Sequence, residues 1–257
     1  MSLGSNIILP NVRRFYTPDP GYIIWDVDLA GADAQIVAWE ANDLPLKKAF
    51  LDYQAGIGMK VHCVNAISIF GEQKAGANGK TDPYYSRAKA GVHLTNYGGK
   101  PATCSSALKI SLAEAAHFQR MWFQLHPAIA EWHERVLHDL HTTRSATNKF
   151  GFTRRYFDRL DNLLPEALAW VPQSTVAIVI NTAYNRITRE LPNSHILLQV
   201  HDSLVGQTPI SEWKTTKPLL RSLLNVTIPY DDPLVIPTGL KTSTVSWGDC
   251  KDEAWDD

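Results

Sequence analysis

Two aspartates lie far apart in the chain, each at the end of an apolar run. Asp28 closes the run 22–29, and Asp202 follows the run 196–200. Such runs predict buried strands, so each carboxylate is expected where a strand reaches the surface. Carboxylates about 4 Å apart repel by about 4 kcal/mol at a typical effective dielectric, and a divalent cation offsets that repulsion. The pair therefore predicts a metal site, although either aspartate alone is more typical of a turn or a helix cap.

A basic helix is predicted between the two aspartates. Lys89, His93 and Tyr97 are spaced four residues apart, which places them on one face. A lysine there can hold a triphosphate and a ring can stack on a base, whereas a solvated amphipathic face is the commoner alternative. Gly98 and Gly99 follow and let the backbone approach a ligand closely, which favours the functional interpretation. Acids for metal and a lysine for phosphate together indicate phosphoryl transfer and, more narrowly, nucleotide polymerisation.

The composition of the chain limits the classes of protein to which it can belong. The chain has 257 residues, 44% hydrophobic and 20% charged, which is ordinary for one large or two small globular domains. The net charge is −1, whereas nucleic-acid-binding proteins usually carry an excess of basic residues. If this chain binds nucleic acid, it must do so through a local basic face. Three cysteines without a CxxC pair argue against disulfides and structural zinc. With no secretory signal, and with Pro172 interrupting the most apolar stretch, we expect a cytoplasmic protein without a membrane partner.

The order of elements predicts an α+β fold. Residues 44–70 are expected to be helical with Lys47 and Lys48 exposed, residues 71–83 form a polar loop, and Pro127 starts a second helix within 111–140. The predicted strands cover 22–29, 195–200 and 203–207, with a further hairpin over 147–157. The other predicted helices cover 33–42, 84–95, 105–110, 173–189 and 211–224. Strands at both ends around a helical middle indicate a discontinuous domain, 1–42 with 146–257, holding a helical insertion, 43–145.

Three segments, in this order, carry a resemblance to DNA polymerase family A. Residues 28–39 resemble its motif A, residues 89–98 its motif B, and residues 199–202 its motif C. Weaker similarities to family segments fall in the right order at 60–62, 151–156 and 173–177. The resemblance covers almost the whole chain. It implies a palm subdomain, an antiparallel sheet with flanking helices, over 1–42 and 146–257, and a helical fingers subdomain over 43–145.

The resemblance also implies roles for individual residues. Asp28, Asp202 and the carbonyl of Leu29 would hold two Mg²⁺ ions, for which Mn²⁺ can substitute. Lys89 would hold the triphosphate of the incoming dNTP and supply a proton to the leaving pyrophosphate. The remaining nucleotide-binding residues would be His93, Tyr97, Asp33, His62 and Arg87. The residues in contact with the DNA primer-template would be Arg154, Arg155, Gln173, His201 and Gly98.

The chain departs from the family pattern at several motif positions. Asp33 stands where the family has a glutamate that excludes ribonucleotides, so sugar selectivity is in question. Tyr85 stands where an arginine grips the triphosphate, and Arg87 lies close enough in sequence to substitute. The other departures are Gln35, His93 and Ser203. They indicate a divergent phage-like or viral member, working in a bacterial or phage-infected cell.

Only 27 residues precede motif A, whereas the family's thumb and 3′–5′ exonuclease domains lie before it. Because the thumb supplies most phosphate contacts, we predict weak, salt-sensitive and distributive DNA binding for this chain alone. A separate thumb or exonuclease subunit, or an upstream part, is an expected partner. The leading hypothesis is a template-directed DNA polymerase core. The rivals are a non-catalytic replication module with a decayed site and a two-metal nuclease, for which the sequence lacks further clustered acids.

Overall fold

The computed structural model describes residues 11–71, 82–158 and 163–256. Most of the loop predicted over 71–83 lies outside the described residues. The chain forms two compact units. The first comprises Met1–Ala30, Val179–Val226 and Val235–Asp257, and the second comprises Gly31–Ile178 and Thr227–Leu234. The division into palm (1–42, 146–257) and fingers (43–145) stays a prediction.

Strands and helices fall largely in separate runs along the chain, which is an α+β pattern. The strands are β1 (Tyr22–Leu29), β2 (Ser145–Thr147), β3 (Thr153–Arg155), β4 (His195–Val200), β5 (Ser203–Pro209), β6 (Thr227–Ile228), β7 (Leu234–Val235), β8 (Thr238–Ser243) and β9 (Lys251–Glu253). The helices are α1 (Ala32–Ala41), α2 (Leu44–Gln54), α3 (Val61–Phe70), α4 (Pro83–Asn96), α5 (Pro101–Leu108), α6 (Leu112–Leu125), α7 (Pro127–Thr142), α8 (Leu163–Glu190) and α9 (Trp213–Leu224). Short 3₁₀ helices cover Val12–Phe15, Ile210–Glu212 and Trp247–Asp249.

The first unit is built on a five-stranded antiparallel sheet in the order β4-β5-β1-β8-β9. β1 is the central strand, and its apolar residues Ile24, Trp25 and Val27 are almost completely buried. This confirms the predicted buried strand at 22–29. The prediction of a second buried strand was wrong for β4, whose residues are alternately exposed and half-buried because it is an edge strand. Its hairpin partner β5 is the buried one.

Trp25 fixes how β1 and β5 pack. Its indole Nε1 donates to the Thr208 hydroxyl at 3.0 Å, and the ring lies over Gly206, which pairs with it across the strands. A Cβ at position 206 would come within 2.2 Å of Trp25 Cζ2. Glycine is therefore the residue that lets a tryptophan fill the sheet core directly beneath the β4–β5 hairpin.

Helices make up most of the second unit, and several begin as the sequence predicts. Ser111 and Glu114 form a reciprocal capping box at the start of α6, and Pro127 opens α7. The single helix predicted over 44–70 was wrong in its middle. α2 ends at Gln54 and α3 begins at Val61, because Gly56 takes a left-handed φ of 73° that stops the first helix.

The predicted interruption at Pro172 was also wrong. α8 runs through this proline for 28 residues, and the hydroxyls of Ser174 and Thr175 donate to the Val171 carbonyl beside it. Tertiary burial of both flanks outweighs the local cost of a helical proline. α8 is long and apolar enough to span a membrane by composition, but half of its most apolar window is buried within the protein. The cytoplasmic location stays a prediction.

A short segment, Thr227–Leu234, belongs to the second unit although it follows α9 in the sequence. The Trp39 indole donates to the Asp232 carbonyl at 2.8 Å, and the Tyr230 hydroxyl donates to Glu40 at 2.8 Å. Lys47 Nζ lies 3.4 Å from the Asp232 carboxylate and is only 6% exposed. The prediction that Lys47 is exposed was therefore wrong, because this distant segment covers it. Lys48 is exposed, as predicted.

Candidate active site

The first unit brings Asp28 and Asp202 to the same end of adjacent strands. Asp28 pairs with Ser203 across β1 and β5, so Asp202 lies one residue beyond that pair. The backbone amide of Leu29 donates to the Asp202 carbonyl at 3.0 Å, which joins the two segments at this edge. Asp28 is exposed and Asp202 is half-buried, although most of β1 and β5 is buried. Two carboxylates are thus presented to solvent from a rigid sheet.

The turn between β4 and β5 is what exposes Asp202. Val200 pairs with Ser203, so the loop consists of His201 and Asp202 alone. His201 has a φ of 53°, the left-handed conformation that tight two-residue hairpins require at their first loop position. The Ser203 hydroxyl donates back to the Val200 carbonyl at 2.9 Å and closes the turn. His201 itself is exposed at the tip of the hairpin.

The donor atoms at this edge suit magnesium. Carboxylate and carbonyl oxygens are the hard ligands that Mg²⁺ prefers, and Asp28, Asp202 and the Leu29 carbonyl provide them without a sulfur or imidazole donor. Across the described ranges, the structure contains no group of three or more His, Cys, Asp or Glu side chains arranged to hold a metal. The residues present therefore fit a metal held by two acids and shared with a substrate, rather than one enclosed by protein ligands.

The second unit presents the predicted nucleotide-binding helix. α4 buries Ala88, Gly91 and Val92, and Gly91 lies so close to Phe118 of α6 that a Cβ there would come within 2.6 Å of the ring. Lys89 and His93 occupy the exposed side. The His93 and Tyr97 rings are 4.5 Å apart at 67°, so the predicted stripe of residues four apart exists in the structure.

Asp33 faces this stripe from the first turn of α1. Its Oδ2 lies 3.9 Å from Nδ1 of His93. Burial raises the pKa of the Tyr97 phenol far above its usual value, and the adjacent Asp33 carboxylate raises it further. Tyr97 therefore remains protonated and can donate a hydrogen bond at any working pH. The structure thus brings Asp33, His93 and Tyr97 together at the end of α4, where Gly98 has a left-handed φ of 72°.

His62, on α3, packs beside the same helix. Its ring contacts Tyr85 edge-on, with centroids 5.8 Å apart. Burial, with smaller contributions from the nearby Lys89 and His93, lowers the pKa of His62 to about 4. Its Nδ1 is buried and makes no hydrogen bond to any residue in the described part of the chain. A neutral imidazole with an unused ring nitrogen therefore lies beside the predicted phosphate-binding lysine.

Arg87 does not lie on the Lys89 face. Two residues along a helix correspond to a rotation of about 200°, which points Arg87 to the other side. Its guanidinium lies 5.5 Å from the centroid of the Tyr84 ring. The residue one helical turn before Lys89 is Tyr85, which contacts His62. Sequence reasoning treated Tyr85 only as a departure from the family, because its partner on α3 becomes apparent only from tertiary packing.

Three of the predicted DNA-binding residues of the second unit, Arg154, Arg155 and Gln173, gather around the β2–β3 hairpin. Arg154 forms an ion pair with Glu166 at the start of α8, and Arg155 is exposed on the same strand. Asn148, in the hairpin loop, donates to the Ser174 hydroxyl at 2.9 Å, so the loop lies next to exposed Gln173. The structure therefore collects Arg154, Arg155 and Gln173 on one side of α8.

A sequence model described as DNA polymerase family A matches residues 6–248. The chain belongs to DNA polymerase family A. This confirms the resemblance drawn from the three motifs. Membership in the family does not by itself assign metal-binding or nucleotide-binding roles to the residues above.

Relatives of this family A chain come from bacteria and phage. A thermostable DNA polymerase I of Thermus filiformis is 28% identical over 240 residues, which cover 89% of this chain and 28% of that protein. The DNA polymerase of Mycobacterium phage D29 is 23% identical over 239 residues, covering 92% of this chain and 37% of that protein. The chain therefore spans only about a quarter to two-fifths of the length of these relatives.

A solved structure has the same fold. The POL domain of Pol1 from M. smegmatis, in complex with DNA primer-template and dNTP, matches with a TM-score of 0.78 at 21% sequence identity. The match covers 93% of this chain and 42% of that one. The predicted α+β fold with an antiparallel sheet is confirmed.

Proposed function

We propose that this chain is the nucleotidyl-transfer core of a template-directed DNA polymerase. The observation that carries the proposal is the placement of Asp28 and Asp202 at one end of β1 and β5, joined by the Leu29 amide to Asp202 carbonyl bond of 3.0 Å. The mycobacterial domain with a similar fold is in complex with primer-template and dNTP. We propose the same substrates for this chain, with pyrophosphate as the second product.

In the proposed reaction, the primer 3′-hydroxyl attacks the α-phosphate of the dNTP, and the bond to the β-phosphate breaks. Asp28, Asp202 and the Leu29 carbonyl would hold two Mg²⁺ ions. When bound, these ions supply Lewis-acid activation of the hydroxyl and neutralise the charge that develops on phosphate. Asp28 lies on β1 and Asp202 in the turn that leads into β5, so the paired strands fix the backbone at both positions before the substrate binds.

The second unit would contribute the groups that bind the nucleotide. Lys89 is exposed on α4, where its ammonium can donate to triphosphate oxygens and stabilise the departing pyrophosphate. His62 is neutral near pH 7, so it can accept from or donate to a phosphate without adding charge. Tyr97, with its phenol protonated, and Asp33 would define the sugar and base positions.

Asp33 has a consequence for sugar selection in this proposal. Aspartate is one methylene shorter than the glutamate of the family pattern, and Asp33 here lies 3.9 Å from His93. A shorter acid directed at an imidazole leaves more room near the sugar 2′ position. We propose that this chain excludes ribonucleotides less strictly than it would with a glutamate at position 33.

The test is primer extension with Mg²⁺ by the wild type, Asp202→Asn and Asp252→Asn. Asp252 is an exposed acid on β9 of the same unit, so its substitution makes the same charge change away from the proposed site. We expect Asp202→Asn to lose about 10²- to 10³-fold in rate, the usual cost of removing one charge-stabilising group from an active site. Asp252→Asn should match the wild type. Equal extension by wild type and Asp202→Asn would refute the mechanism.

One observation favours a second candidate, a non-catalytic nucleic-acid-binding module with a decayed site. Tyr85 packs against His62 at the position where the family pattern has a cationic arginine. This candidate predicts DNA binding that is indifferent to Mg²⁺ and no thermal stabilisation by dNTP. The polymerase proposal predicts a rise in melting temperature when dNTP and Mg²⁺ are added together.

A further inference from the structure

The β2–β3 hairpin is fixed along one face of α8. Residues spaced four apart on α8 each meet it: Glu166 pairs with Arg154, Trp170 stacks on Phe152, and Ser174 accepts from Asn148. Residues at this spacing lie above one another on a helix. The cross-strand pair of Thr147 and Thr153 hydroxyls, 2.8 Å apart, closes the hairpin itself. The hairpin is therefore a supported surface rather than a free loop.

This surface exposes aromatic rings. Phe157 is 90% exposed and Phe152 is 59% exposed. The backbone around Phe157 is held in place, since the Tyr156 amide donates to the Arg144 carbonyl at 2.8 Å and Arg144 donates to the Asp158 carbonyl at 3.0 Å. Phe152 stacks on Trp170 with an interplanar angle of 27°. A solvent-facing ring on a supported backbone, close in sequence to a ring stacked on a second aromatic, can contact a flat apolar partner.

The segment that carries these rings is rich in basic residues, although the chain as a whole is close to neutral. Residues 144–158 contain four basic residues and one acidic residue, whereas the whole chain has a net charge of −1. Arg155 is exposed and forms no ion pair with any residue that the structure describes. Cations interleaved with exposed aromatic rings complement the phosphates and the base faces of an unpaired nucleic-acid strand.

We propose that the β2–β3 hairpin together with Phe157 is a stacking platform for unpaired nucleotides, with Phe157 and Phe152 contacting bases and Arg155 contacting phosphate. The proposal rests on the proposed function for the identity of the strand, which is unpaired DNA template. Double-stranded DNA buries its base faces in the stack, so these exposed rings have no base face to contact on a duplex. The platform therefore selects single strands.

The test measures binding of a fluorescent oligo-dT strand and of an abasic strand of equal length and charge, at low salt and without Mg²⁺ or dNTP. The wild type should bind oligo-dT more tightly than the abasic strand. Phe157→Ala should weaken oligo-dT binding about 5- to 150-fold, the range for loss of one base-aromatic stack, and leave the abasic strand unaffected. Phe152→Ala should act in the same direction.

One further variant tests the contribution of charge, and another tests whether removing any exposed phenylalanine changes binding. Arg155→Ala should weaken both strands equally and lower the salt dependence of binding. Phe15→Ala, which removes another largely exposed phenylalanine (75% exposed), should change neither affinity. The assay contains neither Mg²⁺ nor dNTP and measures binding alone, so a failure of the proposed catalysis is distinguishable from a failure of this proposal. Unchanged oligo-dT binding by Phe157→Ala, or an equal loss on both strands, would overturn it.

Discussion

His62 links the site to the pH dependence of folding. Burial, Lys89 and His93 lower its pKa to about 4, whereas an unfolded histidine titrates near 6.5. Between these two pH values the unfolded chain binds more protons than the folded one. The free energy of unfolding therefore falls as the pH drops from about 6.5 to about 4, and the contribution of neutral His62 is fully present above 6.5.

In His62→Gln, the free energy of unfolding should fall less steeply than in the wild type as the pH drops from about 6.5 to about 4. The difference in slope should be at most about 1.4 kcal/mol per pH unit. Denaturant unfolding at a series of pH values measures it. His133→Gln is a second variant: burial lowers the pKa of His133 as well, so its substitution should reduce the acid loss of stability in the same direction. Parallel curves for the wild type and His62→Gln would show that His62 titrates normally in the folded protein.

At the scale of the element, the sheet beneath the acids depends on one glycine. An added methyl at Gly206 would lie 2.2 Å from Trp25, whose ring is fully buried and cannot move aside. Gly206→Ala should destabilise the protein by about 1–3 kcal/mol or more, the usual cost of overpacking a core. Gly239→Ala, in the strand on the other side of β1, meets only the Asp28 carbonyl at 3.9 Å and should be tolerated.

Thermal unfolding of these two variants measures the difference. Gly206→Ala should also reduce primer extension, since a shift of β5 against β1 displaces Asp202 from Asp28. If both variants unfold at the wild-type temperature, the account of how Trp25 positions the hairpin is wrong.

Elements with a strong local signal could be predicted from sequence. β1 and the β4–β5 hairpin were predicted within two residues at each end because apolar runs are closed by a glycine turn or by the His201-Asp202 loop. The strands β6 to β9 were missed. They are two to six residues long, and β8 and β9 form by pairing in the sheet rather than by their own periodicity. The passage of α8 through Pro172 was missed for the same reason, since tertiary burial decided it.

In the candidate site too, the sequence predicts local features but not the contacts that depend on tertiary packing. The spacing of Lys89, His93 and Tyr97 on one helix follows from sequence, and so does the strand-end position of each acid. The contact between His62 and Tyr85 does not, because it depends on how α3 packs on α4. The orientation of Arg87 toward Tyr84 was likewise not expected, although the helical rotation of two residues already indicated it.

At the scale of the whole molecule, the account depends on two acids that folding brings together from distant parts of the chain. Asp28 lies near the end of β1 and Asp202 directly before β5, and these two strands pair in register through Asp28 and Ser203, although most of the sequence separates the two acids. The weak, distributive DNA binding expected of this chain alone stays a prediction. If the acids hold the same ions, their contributions to the rate must be strongly coupled.

The most direct measurement is a double-mutant cycle on single-turnover nucleotide incorporation with Mg²⁺, using Asp28→Asn, Asp202→Asn and the double variant. Residues that act as one unit are grossly non-additive, so the double variant should be about as slow as the slower single variant. Losses that multiply across the two positions would contradict joint metal binding by Asp28 and Asp202, and with it the central claim.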